Sequence, residues 1–182
     1  SEFKGFAPEA HILKHEYKNR WVRFHSLPES KRYPENEQEY LEVLRRHNVV
    51  LQELCGAEGK ILVVLPEYSE SGAPSKPEPE LVSLFPTTEP WCTLKQNEDD
   101  DDHELYWHLH VSEIEFTGSE LNSLFRLVAN DEAGNIMIIR PDKAVVFHPY
   151  DGGADIVLAS TKQRDQLKER HHEWLSEHSD GF

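Results

Sequence analysis

The sequence predicts an α+β fold, in which a mostly antiparallel sheet of five to six strands packs against about three helices. Short apolar runs separated by turn signals recur along the chain, which is typical of strands joined by hairpins. Residues 34–54 carry apolar side chains at steps of three and four, the spacing of an amphipathic helix. The length of 182 residues suits one domain that buries its own core, so we expect a single α+β domain over residues 1–182.

Residues 135–158 form the centre of the predicted sheet. Residues 136–139 and 144–147 are β-branched or aromatic runs too short for helices, and Pro141 with Asp142 between them is typical of a tight turn. A third apolar run, residues 156–158, follows Gly152 and Gly153, which permit positive φ. We therefore expect three neighbouring strands here, the first two paired as a hairpin.

The remaining elements follow from similar patterns. Further strands are predicted at residues 61–65, 91–94 and 105–116, while residues 21–24 are read as a short strand or a turn. The first helix, residues 34–54, has Asn36 as its N-cap and Gly56 as its stop. A capping-box pattern of Thr117 with Glu120 is expected to open a short helix, whose apolar face is Leu121, Leu124, Phe125 and Val128. A C-terminal helix is expected from Ser160 or Thr161 to about residue 178, with Trp174 on its inner face.

Two segments are predicted to lie outside the packed elements. Residues 1–7 are expected to be a vector-derived remnant and a flexible tail. Residues 69–90 are rich in proline and low in complexity, which predicts a long surface loop in which residues 81–85 are the one candidate for a compact element.

Charge and composition favour some classes of partner over others. The net charge is −15, from 34 acidic and 19 basic residues, which opposes nucleic-acid phosphates and anionic lipid. No apolar run approaches the ~20 residues needed to span a bilayer. Cys55 and Cys92 are far apart in the chain and are predicted to be buried thiols in a reducing compartment. We expect a cytoplasmic protein with no nucleic-acid or membrane partner.

Residues 11–33, here called the basic arm, reverse the sign of the chain, with six basic residues against two acidic ones. One interpretation is an arm tied to the acidic body by ion pairs. The other is a site for an anionic ligand, because arginine forks suit carboxylates and phosphates. The residues of that site would be Arg23, His25, Lys31 and Arg32.

An acidic run at residues 98–102 is predicted to be a solvated loop, since its charges repel one another. It lacks the alternating ligands and the central glycine of a calcium loop. A basic protein partner would instead be steered to its aspartates, which are Asp99, Asp100, Asp101 and Asp102.

His108 and His110 share one face of a predicted strand and are weak candidates for metal ligands. A protein site needs a third ligand, and the sequence does not specify one. There is no phosphate-binding glycine loop, dinucleotide fingerprint or zinc quartet either. No metal and no cofactor is therefore predicted.

The remaining polar candidates, here called the strand-end cluster, are His148, Tyr150, Asp151 and Asp155. Convergence of these side chains in one pocket, joined by His25 or Arg23, would suit acid–base catalysis. The alternative for Asp151 is a structural one, in which its side chain satisfies amides of the glycine turn.

The order of features near the C-terminus resembles that of a family of small uncharacterised bacterial proteins. The shared features are a tyrosine–aspartate turn at Tyr150 and Asp151, a second aspartate at Asp155, and a closing helix that bears Trp174. The resemblance implies no established activity. Small acidic bacterial domains of this kind often resemble toxin-neutralising immunity proteins, which is an analogy of fold and charge only.

Together these observations predict a non-enzymatic recognition domain that binds a basic protein through an acidic surface, in the manner of an immunity protein. The alternative is a hydrolase or metal-dependent enzyme that uses the strand-end cluster.

Overall fold

A computed structural model describes residues 9–56, 58–73, 75–96 and 104–176. These residues contain a single seven-stranded sheet in which every pair of neighbours is antiparallel. The strand order is β1-β7-β6-β5-β2-β4-β3. The strands are β1 Trp21–His25, β2 Gly59–Ser69, β3 Glu89–Gln96, β4 Leu105–Phe116, β5 Met137–Arg140, β6 Val145–Tyr150 and β7 Gly153–Val157.

Five α-helices accompany the sheet in the described residues, so the expectation of five to six strands and about three helices is wrong. The two additional helices, α1 and α3, have only seven and six residues, too few to give a clear period in the sequence. The sequence pattern of strand β1 does not distinguish a strand from a turn, because charged residues flank and interrupt its apolar positions. The helices are α1 Ala10–Glu16, α2 Glu37–Cys55, α3 Pro79–Leu84, α4 Asn122–Ala129 and α5 Thr161–Arg170.

Each face of the sheet has its own core, because successive side chains of a strand point to opposite faces. Val63 and Val64 are both fully buried, and each belongs to a different core. The larger core lies under α2, α3, α4 and α5. The smaller one lies under α1, which contributes Ala10 and Leu13. Among the described helices, α1 is the one that packs on the second face.

The predicted central stretch is confirmed as three neighbouring strands. Strand β5 pairs with β6, and β6 pairs with β7. The β5–β6 connection is a 3-10 turn at Pro141–Lys143 that closes on Ala144, whose φ of 50° lies in the left-handed region. At Gly153 an added Cβ would lie 2.1 Å from the carbonyl oxygen of Phe24, so only glycine lets β1 approach β7 this closely.

Helix α2 begins and ends with the signals that predicted it. The side chain of Asn36 accepts a hydrogen bond from the amide of Glu39 at 3.1 Å, and Glu37 and Glu39 lie in the first turn. Gly56 ends the helix with a φ of 84°. His47 is buried in this helix and contacts the rings of Phe125 and Phe147.

The C-terminal helix is shorter than predicted. Helix α5 ends at Arg170 and is followed by a 3-10 turn, His172–Trp174, rather than continuing to residue 178. Trp174 is nevertheless buried, with its ring edge-on to Phe24 at 6.2 Å, and Leu175 forms a bridge to Phe24. The turn lets the chain fold back onto the free edge of β1, which a continuing helix would not do.

The segments expected to lie outside the packed elements are placed only in part. Residues 1–7 fall outside the described residues. Within residues 69–90, helix α3 buries Leu81 and is followed by buried Phe85.

Among the described residues, no helix combines the length and the apolar character needed to cross a bilayer.

Candidate functional site

The strand-end cluster meets the basic arm on the face of the sheet that α1 covers. Strand β1 pairs with β7 and β7 with β6, so Arg23 lies opposite Asp155, and Asp155 lies opposite His148. Arg23 donates two hydrogen bonds to Asp155, from Nε to Oδ1 at 2.7 Å and from Nη2 to Oδ2 at 2.8 Å. Lys14 Nζ lies 3.8 Å from the same carboxylate. Asp155 is thus held by two cations in a mostly buried site.

Tyr150 lies beside this ion pair. The guanidinium carbon of Arg23 lies 5.0 Å from the centre of the Tyr150 ring, and the His148 ring lies 6.4 Å from it. Burial is the main cause that raises the pKa of Tyr150 above its ordinary value, with further contributions from Asp155 and Asp151. The Tyr150 ring thus packs against the guanidinium of a mostly buried ion pair.

A second ion pair joins the arm to the turn between β6 and β7. Arg32 Nε donates to Asp151 Oδ2 at 2.6 Å, and the Asp151 carboxylate is buried. The pKa of Tyr33 is raised, chiefly by its hydrogen bond to Asp151. The Asp151 carboxylate thus accepts from side chains of the basic arm. Lys31 lies apart from this turn and pairs with Glu39 at 2.8 Å.

His25 ends β1 and borders a cleft of about 310 Å³. Its backbone carbonyl accepts a hydrogen bond from Arg46 Nη1 at 3.0 Å. Its pKa is lowered, first by burial and then by the charge of Arg23. The ring is therefore neutral at pH 7 and adds no positive charge to the site.

The structure thus brings together most of the residues proposed for anion binding and for catalysis, but it joins them to one another. Arg23 and Arg32 each hold a carboxylate of the strand-end cluster. This arrangement favours the interpretation in which the basic arm is tied to the body by ion pairs. Sequence alone left that choice open because the partners are 132 and 119 residues apart.

His108 and His110 are both buried on β4. The Nε2 atom of His108 lies 2.8 Å from Ser69 Oγ, and its Nδ1 atom lies 2.9 Å from Thr93 Oγ1, so both ring nitrogens have partners. Within the described ranges, no group of three or more His, Cys, Asp or Glu side chains is placed to hold a metal ion.

The acidic run itself, with Asp99, Asp100, Asp101 and Asp102, lies outside the described residues. The strands on either side of it belong to a larger acidic region, residues 58–115, here called the acidic end. It comprises β2, α3, β3 and β4, and its three strands are adjacent at one side of the sheet. Residues 58–115 contain 14 acidic and 3 basic residues, whereas the rest of the chain contains 20 and 16.

Most of the carboxylates at the acidic end face solvent. Nine of its acidic residues are described, and all but Glu67 are exposed. Among the described residues of this region, ion pairs join Lys60 to Glu113 and Lys95 to Glu104 and no others. Sequence reasoning counted charge over the whole chain, and so it missed this asymmetry. A count along windows of the sequence would have found it.

Exposed apolar side chains accompany the charge at the acidic end. Trp91 is 49% exposed, more than any other large hydrophobic residue in the described chain except Leu41. It lies where a β-bulge shifts the register between β3 and β4. Tyr68, Val82 and Leu84 are also exposed there. Tryptophan and tyrosine are the aromatic side chains enriched at the centres of protein–protein interfaces.

A family model described as a domain of unknown function (DUF3885) matches residues 10–179. The chain belongs to this family. No curated protein and no solved structure matches it. The DUF3885 match spans the strand-end cluster and the acidic end, so both belong to the family's domain.

Proposed function

We propose that this DUF3885 chain is a recognition domain that binds a basic protein partner through its acidic end. The observation that carries the proposal is the separation of charge along the sheet. Residues 58–115 hold a net charge of −11, from 14 acidic and 3 basic residues, out of −15 for the whole chain. Exposed aromatic and aliphatic side chains lie among these charges.

Charge concentrated at one end acts on a partner before contact. Its field steers a basic protein towards the acidic end and raises the association rate. Aromatic side chains then supply much of the binding energy once water is excluded. The acidic end has both the charge that steers a partner and the exposed aromatic side chains that bind it, whereas a surface that is only charged would have the steering alone.

The state of the strand-end cluster also supports recognition over catalysis. A general base must present a free carboxylate or imidazole to its substrate. Asp151 and Asp155 are instead held by arginines, and the carboxylate of each is mostly buried. These contacts are suited to fixing the basic arm against the sheet. Catalysis at this cluster, by a hydrolase or a metal-dependent enzyme, would require the ion pairs to open.

Neutralisation of a basic toxin, as by a bacterial immunity protein, is the specific form of this function that the sequence resemblance favours. A toxin that acts on nucleic acid carries a basic surface for its substrate. An acidic protein that covers that surface would block it by charge and shape together.

The proposal is tested by affinity capture from cells that produce the protein, with two variants of equal net charge. The acidic-end variant carries Glu58→Gln, Glu70→Gln, Glu89→Gln and Glu115→Gln, at exposed positions. The control variant carries Glu16→Gln, Glu132→Gln, Glu169→Gln and Glu173→Gln, which are exposed positions outside residues 58–115.

We expect the wild-type chain and the control variant to capture the same basic protein, and the acidic-end variant to lose it. The association rate of the purified pair should fall steeply as salt rises to ~0.15 M, where the Debye length is ~8 Å. Capture that is equal for both variants, or a captured partner that is itself acidic, would overturn the proposal.

A further inference from the structure

Two of the four tryptophans are already covered by the chain's own cations. Trp21 and Trp174 each have two basic side chains near the face of the indole. The distances to the ring centre are 5.8 Å for Lys14 and 5.5 Å for Arg23 at Trp21, and 5.4 Å for Arg45 and 5.3 Å for Arg46 at Trp174. Such contacts are attractive because the face of an aromatic ring carries negative charge density. The fold therefore uses cation–π contacts repeatedly.

Trp91 differs from these residues. Within the described part of the chain, no cation and no other aromatic ring contacts it, whereas Trp107 packs edge-on against Tyr68 at 4.9 Å. About half of the Trp91 side chain is exposed. An indole left bare in water loses the favourable burial that its size offers. Its exposure at the acidic end is thus unlike that of the other three tryptophans.

The backbone places Trp91 at the outermost strand of the sheet. Among the described strands β3 has β4 as its one neighbour, and the bulge between Pro90 and Cys92 interrupts their register at Trp91. A bulge turns its extra residue away from the regular alternation of the strand. Trp91 is therefore presented to an approaching molecule at the edge of the sheet.

A carboxylate lies two residues from this indole along the chain. Glu89 precedes Trp91 by two residues, is paired with Val111 of β4 and is exposed. Trp91 also belongs to the acidic end, whose net charge is −11 from 14 acidic and 3 basic residues. A cation above Trp91 would be attracted by the ring and by this negative field at once.

We infer that Trp91 is the anchor of the acidic end and receives a lysine or arginine side chain of the partner on its indole face. The inference rests on the proposed function and names the chemistry of its central contact. Charge complementarity selects this occupant over a second copy of the chain, because two acidic ends would repel each other. Arginine suits the site best, since its planar guanidinium stacks on the ring while it donates to carboxylates.

The test uses the full chain labelled with ¹⁵N, whose four indole N–H groups give separate NMR signals. The probe is a capped peptide of alternating arginine and glycine, and its control is the same peptide with uncharged citrulline in place of arginine. We expect the arginine peptide to shift the Trp91 signal, assigned by its loss in Trp91→Leu, more than the other three. The citrulline peptide should leave it unmoved.

Two variants distinguish the effect of the Trp91 ring from the effect of removing any exposed aromatic side chain. Trp91→Leu keeps an apolar side chain without a π face, and it should weaken binding of the arginine peptide about 5-fold. Tyr33→Leu is the matched control, because Tyr33 is 45% exposed but already has Arg32 at 5.3 Å and lies outside the acidic end. The affinity of Tyr33→Leu for the arginine peptide should equal that of the wild type.

The outcomes distinguish the inference from the proposed function. If Trp91→Leu binds the arginine peptide as tightly as the wild type, or if citrulline peptide shifts Trp91 equally, the inference is overturned. Loss of binding in the acidic-end variant alone would then leave the proposed function standing. If the acidic-end variant also binds unchanged, or if no amide of residues 58–115 shifts, the proposed function fails as well.

Discussion

Removal of the Asp155 carboxylate should destabilise the fold more than any surface charge substitution. In Asp155→Ala, the Arg23 guanidinium loses both of its hydrogen bonds to that carboxylate while its side chain stays only 17% exposed. The pKa of Arg23 is raised although burial acts to lower it, because Asp155 stabilises the charged form. Breaking a buried pair in this way costs about 3–5 kcal/mol. That is a large part of the ~5–15 kcal/mol that stabilises a typical domain.

The chain contains a matched control for this substitution. Lys60 and Glu113 also form an ion pair across neighbouring strands, but their side chains are 63% and 53% exposed. Glu113→Ala should therefore cost less than about 1 kcal/mol. Urea unfolding followed by circular dichroism gives the free energy of unfolding for both variants.

A double variant isolates the cause of the loss. Arg23→Met with Asp155→Leu removes the bidentate pair as a unit, so the Arg23 guanidinium is not left buried without its carboxylate, and most of the stability should return. The reasoning is refuted if Asp155→Ala costs no more than Glu113→Ala. It is also refuted if the double variant is less stable than Asp155→Ala alone, since the loss would then come from packing.

Two further predictions concern the larger core. Trp174→Ala should lower the free energy of unfolding by about 3–5 kcal/mol, because it removes a buried indole that packs on Phe24. An unchanged melting temperature would contradict this packing. Burial, with the charge of Arg46, lowers the pKa of His47 to about 3. Below its ordinary pKa of 6.5 the unfolded chain binds a proton that the folded chain does not, so stability falls as pH drops from 6.5 towards 3. Between pH 7 and pH 5 the uptake of this proton lowers the free energy of unfolding by about 2 kcal/mol. Urea unfolding at the two pH values should show a smaller decrease for His47→Leu than for the wild type. An equal decrease in both proteins would show that His47 is not buried in its neutral form.

Local sequence signals determined much of the fold. Helix α2 follows from its cap at Asn36 and its stop at Gly56, since capping depends on residues a few positions apart. The hairpin of β5 and β6 follows from two apolar runs joined by a short turn. Both are contacts between near neighbours in the chain, and such contacts can be predicted from residue type and spacing.

The partners of the candidate site were decided by tertiary structure. Arg23 meets Asp155 because β1 pairs with β7 at the opposite end of the chain, which no local pattern specifies. The choice between a free anion site and an ion-paired arm depended on that pairing. Helices α1 and α3 likewise form where sheet and core cover them, since isolated helices this short are not stable.

The acidic end is determined in part by the local sequence and in part by tertiary structure. The excess of acidic residues in residues 58–115 is a property of the sequence, but its meaning as a surface comes from the strand order β2-β4-β3. The same order places the bulge of Trp91 on the outermost of the described strands. Composition thus sets how much charge the chain carries. Long-range strand pairing decides where it lies, because pairing depends on the burial of both faces of the whole sheet.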